Sequence, residues 1–273
     1  MKPTRMASEG RRIEILTKRS RPALDWLVAR PIAHRGLHDG NKCCFENSLS
    51  AFEAAASAGF AIECDVQPLL DGSVAVFHDD DLTRLTGETG AIRSLSANDL
   101  GRLRLGGTEH APPTLDAMMR AIDGRVPVVV ELKGFGPNQH DLPARVAAVL
   151  ARFDTPSAIM SFDHDLVARF AEQAPDLPHG LTAEGTDRHS LERHRRIAER
   201  VDFLSYNVNH LPNPFVAEFR GSGRPVITWT VRTPEQVAAT RAHADQMTFE
   251  GFDPREGPRE RDDASACASD PDA

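Results

Sequence analysis

Apolar residues fall into short runs that alternate with helical patterns from residue 31 to residue 253. Runs of strand length cover 31–34, 60–66, 74–78, 126–132, 158–162, 179–183, 203–206, 225–231 and 246–249. Amphipathic stretches lie between most of them, at 48–58, 114–122, 141–153, 163–173, 190–200 and 234–244. The first puts Leu49, Phe52 and Ala56 on one face, with Asn47 or Ser48 placed to cap it and Gly59 to stop it. Repeated strand–helix alternation predicts a parallel sheet with helices outside it.

Nine strand candidates are one too many for an eight-stranded barrel. Only residues 67–73 separate Val66 from Val74, and a parallel crossover needs roughly a dozen residues or more. The run 74–78 must therefore turn back antiparallel, with Asp71-Gly72 in the turn, and so return His78 to the side of Asp65. The expectation is an α/β protein, a (β/α)8 TIM barrel, with a small insertion at 79–113 after a hairpin that follows the second strand. The insertion carries Leu82, Leu85, Leu95, Leu100, Leu103 and Leu105, enough for a satellite cluster walling the site. Leu24, Trp26 and Leu27 are expected in a short helix that covers the barrel bottom. Residues 1–22 read as a basic tail, 23–253 as the barrel and 254–273 as a disordered tail.

Composition narrows the partners. A chain of 273 residues, 40% apolar, fits one large α/β domain or two small ones. The net charge of −8 is uneven: +5 over residues 1–30, −3 over 254–273 and −10 between them. That surface argues against nucleic acid, so any phosphate recognition must be local. No apolar run approaches the eighteen or so residues of a membrane span, and residues 1–30 lack the apolar core of a signal peptide. The four cysteines, with Cys43 and Cys44 vicinal, make neither a disulfide framework nor a metal spacing. Free thiols and a cytoplasmic protein are expected. The oligomeric state is left open.

In such barrels the C-terminal strand ends form the active face. His34 and Arg35 end the first strand. Glu63 and Asp65 end the second; two residues apart, they point to one side, with Cys64 opposite. Glu131 and Lys133 end the third. Three converging carboxylates call for a hard cation, Mg²⁺ or Ca²⁺ rather than zinc. The plainer reading is a set of ion pairs with Arg35 and Lys133. His34 and His78, each beside acids at a strand terminus, are candidates for general acid and base rather than satisfied core histidines. Arg35 offers a planar fork to phosphate oxygens and Lys133 a point charge.

The segments His34-Arg35-Gly36, Phe45-Glu46-Asn47-Ser48, Ala51-Phe52, Glu63-x-Asp65-Val66, Asp71-Gly72, His78-Asp79, Leu82-x-Arg84-Leu85-Thr86, Pro113-Thr114-Leu115 and Glu131-x-Lys133 occur in this order. Together they make residues 31–253 resemble the glycerophosphodiester phosphodiesterase family. The resemblance implies a (β/α)8 barrel that hydrolyses a small-molecule glycerophosphodiester to glycerol 3-phosphate and an alcohol, with Ca²⁺ or Mg²⁺. It places acid–base catalysis on His34 and His78, the metal on Glu63, Asp65 and Glu131, and phosphate contacts on Arg35 and Lys133. Trp229 matches a pocket-lining aromatic, with ordinary core packing as the alternative. Two departures stand out. The family's Pro-Glu-Asn-Thr reads Phe45-Glu46-Asn47-Ser48, which keeps the capping hydroxyl. Its late Thr-Asp pair reads Phe249-Glu250, which leaves the role of Glu250 open. Two other functions compete: a lipid phosphodiesterase of the lysophospholipase D or sphingomyelinase D kind, and a non-catalytic barrel that binds phosphorylated ligands. Both histidines and all three acids are present, which speaks against the latter.

Overall fold

The computed structural model describes residues 23–134 and 139–257. Its strands are β1 (Ile32–Ala33), β2 (Ala61–Pro68), β3 (Val74–Val76), β4 (Val128–Leu132), β5 (Ser157–Ser161), β6 (His179–Ala183), β7 (Phe203–Asn207), β8 (Val226–Val231) and β9 (Gln246–Phe249). Eight of them pair in parallel in chain order, and β1 closes the ring by pairing with both β2 and β9. The exception is β3, which runs antiparallel to β2 with Val66 opposite Val76. Leu69 donates to the Ser73 carbonyl at 2.8 Å across the turn that holds Gly72, and Phe77 donates to the Asp65 carbonyl at 2.9 Å. The expected hairpin, the return of His78 to Asp65 and the count of eight barrel strands are all found.

The helices are α1 (Asp25–Val28), α2 (Leu49–Ser57), α3 (Thr83–Thr86), α4 (Ala97–Leu100), α5 (Leu115–Ile122), α6 (Leu142–Leu150), α7 (His164–Gln173), α8 (Arg188–Ala198), α9 (Pro214–Gly221) and α10 (Pro234–His243). Ser48 caps α2, accepting from the Ala51 amide, as its hydroxyl predicts. Helix α9 lies outside the six amphipathic stretches. Its signal was local: Asn213 caps it and Pro214 opens it, the residue types favoured at those positions.

Strand alternation divides the core into two layers. Ala33, Ile62, Cys64, Val66, Val130 and Leu132 point outward against the helices. Ile32, Ala61, Val129, Ala158, Met160, Phe203 and Ile227 point inward, and Leu24 and Leu27 plug them from below. Cys64 thus faces the packed side, and α1 closes the bottom, both as expected. A third cluster joins Phe45 and Phe77 to Leu82, Leu85, Ile92, Leu100 and Leu105, with Leu95 and Leu103 packed against it. Residues 79–113 therefore build their own apolar base beside the strand that ends at His78.

Three expectations need correction or a boundary. Glu63 and Asp65 do not end their strand: pairing with both β3 and β4 carries β2 on to Pro68, so the acids sit in the barrel wall. Cys44 and Cys64 are free thiols, but Cys43 is disulfide-bonded. Of the tails expected at 1–22 and 254–273, residues 1–22 and 258–273 lie outside the described residues, while 254–257 form a turn in which Glu256 and Gly257 donate to the Asp253 carbonyl at 3.0 and 2.9 Å. Among those described, no helix is long and apolar enough to cross a membrane.

Gly36 ties the first loop to this frame. Its φ is +82°, and an added Cβ would meet the backbone carbon and Cβ of Ala51 at 2.8 Å. Gly36→Ala should lower unfolding free energy by about 2–4 kcal/mol, combining left-handed backbone strain with overpacking. Urea unfolding measures it; wild-type stability would contradict this account of the loop.

Candidate active site

Alternation along β2 turns Glu63, Asp65 and Gln67 into the barrel. The register places Asp65 opposite Glu131 of β4. One carboxylate oxygen from each of Glu63, Asp65 and Glu131 lies within 4.8 Å of the others, and all three residues are buried. Lys133 Nζ stands 2.8 Å from Asp65 Oδ1 and also pairs with Glu131. Arg35, at a left-handed φ of 56°, donates its backbone amide to Glu63 Oε2 at 3.0 Å and Nη1 to Glu46 at 2.6 Å. Its Nε lies 3.1 Å from Asp65 Oδ2 without hydrogen-bond geometry. Asn47 donates to Asp65 Oδ2 at 2.8 Å.

These contacts do not balance the charge. Burial pushes the Glu63 carboxyl well above its ordinary range, and Asp65 and Glu131 add to that push. Burial also raises Glu131, partly offset by Lys133. For Asp65, burial is outweighed by Lys133 and then Arg35, which hold it well below the ordinary carboxylate range. Lys133 serves two acids and Arg35 is shared with Glu46, so the trio keeps an uncompensated negative charge. An all-oxygen, net-negative set of this kind fits a hard divalent cation.

The histidines flank the acids. His34 Nδ1 is 2.7 Å from Glu250 Oε2, and its Nε2 is 4.0 Å from Glu63 Oε2. Burial lowers its pKa, against the bond to Glu250. His78 Nδ1 is 2.7 Å from Asp79 Oδ1. The Gln67 amide donates to the carbonyls of Phe77, His78 and Asp79 at 3.0, 3.2 and 2.7 Å, which pins the backbone carrying His78. Arg84 reaches Asp79 through Nε at 2.6 Å and Glu46 through both terminal nitrogens at 2.9 and 2.8 Å. Trp229 donates from Nε1 to the Ser205 carbonyl at 3.3 Å. Its ring meets Phe162 edge-on at 5.1 Å, and Phe162 is 42% exposed. A cleft of about 470 Å³ opens here, lined by Glu131, Lys133, Phe162, Asp163 and Arg193 among others. A larger one, about 630 Å³, lies between α9 and α10 and includes none of these acids.

His34, Arg35, Glu63, Asp65, Glu131 and Lys133 thus converge, His78 stands beside Asp65 on the hairpin, and Trp229 packs behind Phe162 without lining the cleft itself. Gln67, Glu46, Arg84, Asp79 and Phe162 were not candidates from sequence. Glu46, Asp79 and Arg84 stood within the quoted motifs, and Gln67 continued the inward alternation of Glu63 and Asp65.

The sequence profile of the Glycerophosphoryl diester phosphodiesterase family matches residues 34–250. A glycerophosphodiester phosphodiesterase of Bacillus altitudinis is 28% identical over 240 residues, 82% of this chain and 86% of that protein. Glycerophosphodiester phosphodiesterase 1 of Bos taurus is 24% identical over 251 residues, 78% of this chain and 74% of that protein. Among solved structures, an Oleispira antarctica phosphodiesterase in complex with the product sn-glycerol-3-phosphate superposes with a TM-score of 0.69, at 22% identity, over 82% of this chain and 93% of that one. The glycerophosphodiester phosphodiesterase of Thermotoga maritima gives a TM-score of 0.62 at 25% identity, over 80% of this chain and 92% of that one. The chain belongs to the glycerophosphoryl diester phosphodiesterase family, and it is an enzyme of phosphoric diester hydrolysis.

The charge imbalance predicts a pH dependence. Glu250 is held at about 2, and Glu46 and Asp65 are also held low. Groups with depressed values stabilise the fold above the free carboxylate range, and that stability is lost as pH falls from about 4.5 toward about 2. Glu63 has the opposite sign: raised in the fold, it costs stability as pH rises above that range. In chelator at pH 8, Glu63→Gln should therefore be more stable than wild type by about 1–3 kcal/mol, and the gain should shrink toward pH 4.5. Equal or lower stability at pH 8 would mean the three acids are already neutralised.

Proposed function

We propose that this chain hydrolyses glycerophosphodiesters to glycerol 3-phosphate and an alcohol, with Mg²⁺ or Ca²⁺ held by Glu63, Asp65 and Glu131. The observation that carries the reading is a trio of buried carboxylates, short of positive charge, set between two histidines at the barrel mouth. A cation bound there would polarise the phosphate by drawing on its non-bridging oxygens. Arg35 and Lys133, fixed by Glu46, Asp65 and Glu131, are placed to share charge that develops on the phosphoryl group. One histidine takes a proton from the nucleophile, either water, which gives glycerol 3-phosphate directly, or the glycerol 2-hydroxyl, which closes a cyclic phosphate that water then opens to glycerol 3-phosphate in a second step. The other gives a proton to the departing alcohol.

Family membership supports this reaction, as does the product seen in the Oleispira antarctica relative. Charged residues in the cleft lining, Glu131, Lys133, Asp163 and Arg193, favour a small polar headgroup over a lysolipid chain. The complete set of acids and histidines argues against a non-catalytic barrel. We read residues 23–253 as one catalytic unit in which the segment 79–113 walls the mouth, because its Arg84 holds both Glu46 and Asp79. For a cytoplasmic location, the free thiols of Cys44 and Cys64 speak in favour and the bonded Cys43 against.

With glycerophosphocholine as substrate, EDTA should abolish turnover and Mg²⁺ or Ca²⁺ should restore it. The restoring ion should also raise the melting temperature, because it binds only the folded site. Full turnover in excess chelator would remove the metal from the reading.

Replacing His34 or His78 with Ala should lower kcat by about 10²–10⁴-fold, with folding and cation binding retained. A nitrophenyl phosphodiester, whose leaving group needs little protonation, should rescue whichever variant lacks the acid and leave the other impaired. Small, equal losses with both substrates would reduce the histidines to phosphate contacts.

A further inference from the structure

We propose that Glu250 and Arg232 form a positioning pair that fixes the ring tautomer of His34, the counterpart of Asp79 and Arg84 at His78. The inference rests on the acid–base reading of the two histidines. At each, a carboxylate lies 2.7 Å from Nδ1. At each, an arginine grips that carboxylate through the same two nitrogens. Arg232 donates Nε and Nη2 to Glu250 at 3.1 and 2.8 Å; Arg84 donates Nε and Nη2 to Asp79 at 2.6 and 3.0 Å. An ionised carboxylate only accepts, so the ring must carry its proton on Nδ1 and leave Nε2 for the substrate. In His34 that Nε2 is the nitrogen turned toward Glu63.

The pair is built by barrel closure. Arg232 follows β8, Glu250 follows β9 and His34 follows β1, three neighbouring strand ends. Glu250 donates its amide to the Val231 carbonyl at 3.0 Å, and His34 donates to the Phe249 carbonyl at 3.0 Å. Arg232 is itself held, its amide donating to Gln236 Oε1 at 2.7 Å beside the capping box of α10. Glu250 and His34 are 216 positions apart in sequence, which is why no local pattern announces the contact.

Glu250 Oε2 takes both Arg232 Nη2 and His34 Nδ1, so a glutamine could turn its one oxygen to both donors and keep the tautomer. Glu250→Leu removes the acceptor at similar size and leaves Arg232 to meet Nδ1 with donors alone, which moves the ring proton onto Nε2. The variant should lose about 10–10³-fold in kcat with little change in KM, in the manner of other groups that orient a catalytic histidine. Nitrogen-15 NMR of labelled histidine should show His34 moving from the Nδ1–H to the Nε2–H form. Glu250→Asp keeps an acceptor-only group and should keep the wild-type tautomer. A Glu250→Leu enzyme with kcat within twofold of wild type and an unchanged tautomer would overturn the proposal. So would a Glu250→Asp enzyme in the Nε2–H form. If His34→Ala remained active, the acid–base reading would fail, and the tautomer signal would still decide on the pair.

Discussion

Three carboxylates buried within 4.8 Å of one another are the constraint on which the rest of this structure depends. Burying one unpaired carboxylate already costs several kcal/mol, and like charges add to that cost. The surrounding chain answers with Lys133 against Asp65 and Glu131, the Arg35 amide against Glu63 and Asn47 against Asp65. Arg35 and Asn47 both adopt positive φ to reach their partners, so the loop after β1 is bent to serve the acids. What those partners leave over is negative charge among buried side chains, and in the proposed reaction that remainder would hold a divalent cation and, through it, the phosphate.

The same electrostatics joins elements far apart in sequence. Glu46 in the first loop, Arg84 in the segment after the hairpin and Asp79 beside His78 form one connected network. Arg35 enters it through Glu46. The two proposed catalytic histidines are therefore not independent fixtures: one network holds Arg35, the neighbour of His34, and the loop of His78 together. Gln67 reinforces this from below, since its single amide binds three consecutive carbonyls around His78. The apolar cluster of Phe45, Phe77 and the leucines of 79–113 gives that network a rigid floor.

Much of this could be read from the sequence, for physical reasons. The barrel followed from alternation, and the hairpin from a linker too short for a crossover. The convergence of His34, Glu63, Asp65, His78 and Glu131 followed from the rule that barrel strands present their C-terminal ends to one face. Contacts made only by closure or by long side chains could not be read. Glu250 meets His34 because the last strand pairs with the first, and Arg84 meets Glu46 across 38 positions. The extension of β2 beyond Asp65 was hidden because it depends on pairing with β3 and β4 together. Helix α9 has only eight residues, too few for a clear period, so nothing but its Asn213 cap and Pro214 marks it in the chain.

The central claim is that the charge left over by Glu63, Asp65 and Glu131 is filled by one divalent cation. Crystals grown with Mn²⁺ and examined by anomalous scattering test it directly. The account predicts one strong peak with an oxygen of each of the three residues in its coordination sphere, lost in Glu63→Gln or Glu131→Gln crystals. No peak among the three acids at saturating Mn²⁺, or an equal peak in the Gln variants, would contradict it and leave Arg35 and Lys133 as their sole counter-ions.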